Sequence, residues 1–220
     1  MNNNSQVSPN EPNKEMFYSR MNDVINVLKK HKVELDKLNS IELFGRGGDW
    51  HTVAYADKVK SLEVWEIDEN WEYELRKNLP HAKIKIVDSI KMLRNSVDLP
   101  KFDLIMIDNP MNLYGPIVNG IPQYCEHFEV LEEISKLIDK NAIIVFNVNK
   151  KPFDYEQYLL WKKRREKFYG TFNTDDLSLD FLFEFYKNLF LKLGFETVFH
   201  ECVRRHEYLD YFVYMIRKIE

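Results

Sequence analysis

The chain has 220 residues, with 31 Lys and Arg against 35 Asp and Glu and a formal net charge of −4. Its 45% hydrophobic and 14% aromatic content suits one α/β domain with a sizeable core, and argues against a disordered chain or one that binds nucleic acid through its bulk field. The two cysteines, Cys125 and Cys202, lack C-x-x-C spacing, which excludes a zinc ribbon or disulfide framework; no secretory signal and no uncharged run long enough for a bilayer are visible, so a cytoplasmic location and no membrane partner are expected.

Residues 1–13 are rich in Asn, Ser and Pro and read as a disordered tail, with a single domain over 14–220. From Lys14 to Leu38, Met16, Phe17, Met21, Val24, Ile25 and Leu28 recur at helical spacing. Five short apolar runs follow, each bounded by polar or turn residues as buried parallel strands are: Ile41–Phe44, Leu62–Ile67, Ile84–Val87, Phe102–Ile107 and Ala142–Val148. Between them lie helical patterns: Asp68–Leu79 with Asp68 as N-cap, and His127–Ile138 with Phe128, Leu131, Ile134 and Leu137 on one face. A third, Phe181–Leu193, repeats Phe181, Phe185, Leu189 and Leu193 and stops at Gly194. Thr197–Val203 and Tyr208–Ile216, joined by Arg204-Arg205-His206-Glu207, read as an antiparallel hairpin. The expected fold is a doubly wound, mostly parallel seven-stranded sheet with helices on both faces and that hairpin at its edge. Met111–Tyr124 reads as a long loop. Residues 150–179 read as a helical lid insertion carrying Tyr155, Tyr158, Trp161, Phe168 and the basic run Lys162–Arg165.

In an open α/β sheet the ligand sits beyond the carboxyl ends of the strands, at the switch point. Here those ends carry Gly45-Arg46-Gly47-Gly48, Glu66, Asp88-Ser89 and Asp108. A glycine turn lets backbone approach a ligand. A carboxylate ending the second strand accepts ribose hydroxyls, and one ending the third can accept an adenine amino group or cap the next helix. The dinucleotide fingerprint fails, because Trp50 fills the place of its third glycine, and no P-loop exists in the chain. His200 and His206 lack H-E-x-x-H spacing, and one Asp with one Asn at 108–109 makes no metal site, so no metal is expected.

These motifs resemble the class I S-adenosylmethionine-dependent methyltransferases, from about Lys14 to Glu220. The resemblance rests on Glu42-Leu43-Phe44-Gly45-Arg46-Gly47-Gly48, Val64-Trp65-Glu66-Ile67-Asp68, Val87-Asp88-Ser89, Phe102–Asp108 and the terminal hairpin. It implies S-adenosylmethionine as cofactor. Glu42 would support the loop and the methionine end, Gly45, Gly47 and Gly48 would border the methionyl and ribose parts, Glu66 would hold ribose, and Asp88-Ser89 would stand at adenine. Phe44 stands where the family's first glycine is usual. Asp108-Asn109-Pro110 matches the fourth motif in position but not the N-P-P-Y or D-P-P-Y of adenine-N6 enzymes.

Methyl transfer needs alignment more than covalent help, because the sulfonium is already activated. Asp108, which also borders the cofactor, and His127 are the candidate bases. The expected reaction is transfer to an oxygen or nitrogen of a small-molecule or sugar-like acceptor, with nucleic acid a less favoured partner. An aminopropyl-type transferase on the same fold, and a binding protein or subunit that has lost the chemistry, are the alternatives.

Overall fold

The computed structural model describes residues 14–109, 112–150, 152 and 158–220. The expected tail at 1–13, Pro110-Met111, and 151 and 153–157 of the insertion lie outside the described residues. Among the described residues nine strands form two sheets: β1 (Asn39–Glu42), β2 (Ser61–Glu66), β3 (Lys83–Ile86), β4 (Leu104–Ile107), β5 (Leu113–Val118), β6 (Ile121–Cys125), β7 (Asn141–Asn149), β8 (Phe195–Arg204) and β9 (Leu209–Lys218). The main sheet has seven strands in the order β3-β2-β1-β4-β7-β9-β8. Its first five are mutually parallel, and β9 runs antiparallel to both β7 and β8. The expected doubly wound sheet with a closing hairpin is what the chain forms.

Burial on both faces explains why the strands read as continuous apolar runs. Ile105, Ile107, Ile144, Phe146, Phe212 and Tyr214 point into one core. The intervening Leu104, Met106, Ile143, Val145, Tyr211 and Val213 point into the other. The second core is covered by α1 (Lys14–Lys30), through Met21, Val24, Ile25 and Leu28, and by α2 (Glu72–Asn78) through Leu75. The first is covered by α3 (Ser89–Asn95), α4 (Phe128–Glu133), α5 (Leu159–Tyr169) and α6 (Leu179–Lys192).

Three expectations need correction. The first helix ends at Lys30 rather than Leu38, because Lys32 turns left-handed at φ 61° and the chain tightens into a short 3-10 turn at Leu35–Lys37. On α6 the fully buried line is Leu182, Tyr186 and Phe190, one residue on from the expected face; Phe181, Phe185 and Leu189 pack partly buried beside it. The expected loop at 111–124 contains the antiparallel pair β5–β6 instead. Its turn is Asn119-Gly120, both at positive φ (51° and 77°), the backbone that a two-residue hairpin of type I′ demands.

The topology locates the ligand edge. The chain runs outward through β1, β2 and β3, then returns to the other side of β1 with β4. The switch point therefore lies between the ends of β1 and β4. Because β9 starts at Leu209 opposite Asn149, the last residue of β7, the β8–β9 turn also comes back to this edge.

Candidate active site

A cavity of about 590 Å³ opens at the carboxyl ends of β1 to β4. That volume suits a nucleoside-sized or drug-sized ligand. Of the residues expected to act here, Gly45, Gly48, Glu66, Asp88, Ser89 and Asp108 all line it.

Each is held by local bonding. The Glu66 carboxylate accepts from the Arg46 amide at 2.6 Å and the Asp68 amide at 2.9 Å, fixing the glycine turn to the end of β2. Asp88 caps α3: its Oδ1 accepts from the Ile90 and Lys91 amides at 3.1 and 3.0 Å. The Ser89 hydroxyl donates to the Leu43 carbonyl at 2.7 Å, joining α3 to the segment after β1. At Gly45 a Cβ would stand 2.3 Å from Val64 Cγ1, and at Gly48 2.6 Å from Leu79 Cδ1. These two glycines are therefore required by packing against β2 and α2. Arg46 between them sits at φ 44°, with its guanidinium 4.2 Å from the Trp50 ring and 5.1 Å from the Trp71 ring.

The densest polar set is at the switch point. Asp108 Oδ2 accepts from the Tyr211 hydroxyl at 2.6 Å and from Arg205 Nε at 3.2 Å. Arg205 Nη2 lies 2.9 Å from Asp108 Oδ1, yet that oxygen, buried in the wall, makes no well-directed hydrogen bond within the protein. His51 lies between Asp108 and Glu42, whose Oε2 also accepts from the Tyr55 hydroxyl at 2.8 Å. Burial alone would raise the Asp108 carboxyl, but Arg205 and His51 outweigh it and hold it below its ordinary value. Burial raises Glu42, and His51 offsets this only in part.

Solved structures of similar shape include methyltransferases. Magnesium protoporphyrin IX methyltransferase (ChlM) from Synechocystis PCC 6803 with bound SAH superposes at TM-score 0.57 and 13% identity, over 96% of this chain and 90% of that one. N-methyltransferase NodS from Bradyrhizobium japonicum WM9, in complex with S-adenosyl-l-homocysteine, does so at 0.55 and 14%, over 100% and 94%. A Pyrococcus horikoshii protein assigned as an RNA methyltransferase gives 0.52 and 12%, over 98% and 92%. The fold is that of the class I S-adenosylmethionine-dependent methyltransferases. No protein-family model matches the sequence, and no curated protein does.

On this methyltransferase fold, two expected cofactor residues stand behind the wall. Glu42 is fully buried beneath it, and Gly47 faces α2, where its carbonyl accepts from Asn78 Nδ2 at 2.8 Å. His127 is placed apart from the cavity. Its Nε2 pairs with the Tyr186 hydroxyl at 2.6 Å among Phe128, Phe146 and Phe168, and burial pushes its pKa down to about 3. The structure does not place it as the expected base: His127 is buried in the core and does not line the cavity. The described part of the insertion also packs inward. Trp161, Arg165 and Tyr169 of α5 are buried, and α5 lines no part of the cavity.

His51, Trp50, Trp71, Asn109 and Arg205 line the cavity without having been singled out in the sequence as site residues. Tyr114, Gly115 and Tyr124, from the 111–124 segment that the sequence places on the ligand side, also line it. Among the described residues no group of His, Cys, Asp and Glu is arranged to hold a metal ion, and no helix is long and apolar enough to cross a membrane.

Proposed function

We propose that the protein is a methyltransferase that binds S-adenosylmethionine in this cavity and methylates an oxygen or nitrogen of a small-molecule acceptor. One observation carries the reading: on a methyltransferase fold, the acidic ends of β2, β3 and β4 converge on a single cavity at the switch point. When bound, the cofactor supplies a methyl group already activated on sulfur.

The residues fit such a ligand. Glu66 has lone pairs beyond the two amides it accepts, which suits ribose hydroxyls. Ile67, 53% exposed at the strand end, and Ile90 give an apolar seat for a base beside Asp88. The Asp108 carboxylate lies behind the cavity surface, with Arg205 Nη2 2.9 Å from Oδ1, and supports the wall rather than offering a free acceptor. Asp108 acts as a structural anchor of the site rather than a base, since Tyr211, Arg205 and His51 engage its carboxylate. Tyr114, beside Asn109, and Tyr124, beside Asp88, add aromatic surface to the cavity wall, which suits a small acceptor. A formal charge of −4 disfavours nucleic acid as acceptor.

Calorimetric titration with S-adenosylhomocysteine, and in parallel with NAD and ATP, tests this. Selective binding of the first, weakened at least tenfold in both Glu66→Ala and Glu66→Gln, is expected. The companion Gln variant keeps an acceptor for the loop amides. A folded protein that binds none of the three, or that prefers NAD, overturns the proposal.

A further inference from the structure

Two carboxylates that end neighbouring strands meet one imidazole at the switch point. His51 Nε2 is 3.0 Å from Glu42 Oε2, and Nδ1 is 3.1 Å from Asp108 Oδ2. A neutral imidazole has one N–H and one lone pair. With Glu42 and Asp108 both ionised, in either tautomer that lone pair would face a carboxylate oxygen at about 3 Å, which is repulsive. The arrangement is therefore satisfied with a hydrogen on both nitrogens.

The charges around it balance. Glu42 is 0% exposed, Asp108 and Arg205 4% each, and His51 7%. Two carboxylates face one guanidinium and one imidazolium, and no charge is left over. The other groups against the pair are neutral hydroxyls. The hydroxyls of Tyr55 and Tyr211 donate to the carboxylates, while Thr52 Oγ1, 3.4 Å from His51 Nε2, stands as an acceptor toward that N–H. A buried carboxylate deprived of its cation is strongly disfavoured, so the imidazolium is what allows two acids to share this edge.

We propose that His51 is a positioning residue of the site: bridging Glu42 and Asp108, it ties the end of β1 to the end of β4 and so fixes the cavity wall against which the ligand lies. The ligand in this statement rests on the methyltransferase reading above; the bridging cation does not. Burial alone would lower the imidazole's pKa, but Asp108 and Glu42 outweigh burial and Arg205, and hold it above its ordinary value. His51 therefore holds its proton to higher pH than a free imidazole.

Two measurements test the proposal. Nitrogen-15 NMR of the wild-type protein reads the His51 ring directly from mildly acidic to mildly alkaline pH. Both nitrogens protonated at neutral pH are expected, and a neutral tautomer there overturns the proposal, whatever the ligand. Calorimetry with S-adenosylhomocysteine over the same range compares wild type with His51→Gln, whose fold is checked by circular dichroism. Wild-type affinity is expected to fall as the imidazole loses its proton. His51→Gln is expected to bind roughly tenfold more weakly at neutral pH, with that step missing. Equal affinity in the variant, or the same alkaline step in both proteins, overturns the proposal. Should wild type bind no S-adenosylhomocysteine, the cofactor reading falls, and the NMR titration still decides the bridge.

Discussion

Glu126 and Arg165 form a buried ion pair, with 2.6 Å between Oε1 and Nη1, that links the cavity wall to α5. Glu126 works at both of its ends. Its backbone carbonyl accepts from Asn109 Nδ2 and from the Tyr114 hydroxyl, each at 2.9 Å. Its carboxylate accepts from Arg165 and from Trp161 Nε1 at 2.8 Å. A segment far from the strand ends in sequence thus holds two cavity residues in place.

Replacing one partner should therefore be costly. Arg165→Met leaves the Glu126 carboxylate buried with only the Trp161 N–H, and should lower stability by about 3–5 kcal/mol in urea denaturation. The double variant Glu126→Gln/Arg165→Met should recover most of that loss, because it removes both charges. A single-variant cost under about 1 kcal/mol would show that water reaches the pair.

The Tyr124 hydroxyl donates to Asp88 Oδ2 at 3.3 Å, a long bond that ties the β5–β6 hairpin to the end of β3. If Asp88 takes the base of the ligand, Tyr124 competes for the same carboxylate. Tyr124→Phe should leave the melting temperature nearly unchanged, since Asp88 retains both amide donors and the ring stays on Gly115. S-adenosylhomocysteine should bind equally or somewhat more tightly by calorimetry. A loss beyond tenfold would instead make the hydroxyl a ligand contact.

The glycine turn makes a steric prediction independent of any ligand. A Cβ on Gly45 would meet Val64 Cγ1 at 2.3 Å and Leu75 Cδ2 at 3.2 Å, both buried side chains of the second core. Gly45→Ala should cost about 1–3 kcal/mol by thermal or chemical denaturation, as overpacking does. Unchanged stability would mean that β2 and α2 yield freely at this point.

How much of this was legible in the sequence follows from what each feature depends on. Short apolar runs revealed the strands because the sheet is buried on both faces, and parallel topology alone puts Glu66, Asp88 and Asp108 at one edge. The β5–β6 hairpin carried its own signal in Asn119-Gly120, but Gly115 and Pro116 break the alternation that would have marked a strand. His51 carried none: it stands in short 3-10 turns without periodicity, and its meaning depends on Asp108. Arg205 reaches Asp108 from 97 positions away, through a hairpin whose register only the folded sheet defines. His127 failed in the opposite way. It stood beside a plausible apolar helix, and the sequence could not show that Tyr186 and Phe146 seal it from the cavity.

His127 gives the sharpest pH prediction. Burial, with Arg165 nearby, lowers its pKa to about 3 in the folded chain, against an ordinary value of about 6.5 in the unfolded one. Between those values the unfolded state binds more protons, so stability rises with pH through this window. The contribution is fully present above the unfolded value. It is lost on acidification at up to about 1.4 kcal/mol per pH unit, until the folded-state group also protonates. Urea denaturation of wild type and His127→Phe, at neutral and mildly acidic pH, isolates it from the carboxylates common to both. The wild type should lose more stability on acidification than the variant, while the variant's affinity for S-adenosylhomocysteine should match wild type because His127 lies outside the cavity. Parallel acid slopes in the two proteins would mean that this imidazole is already protonated in the folded core.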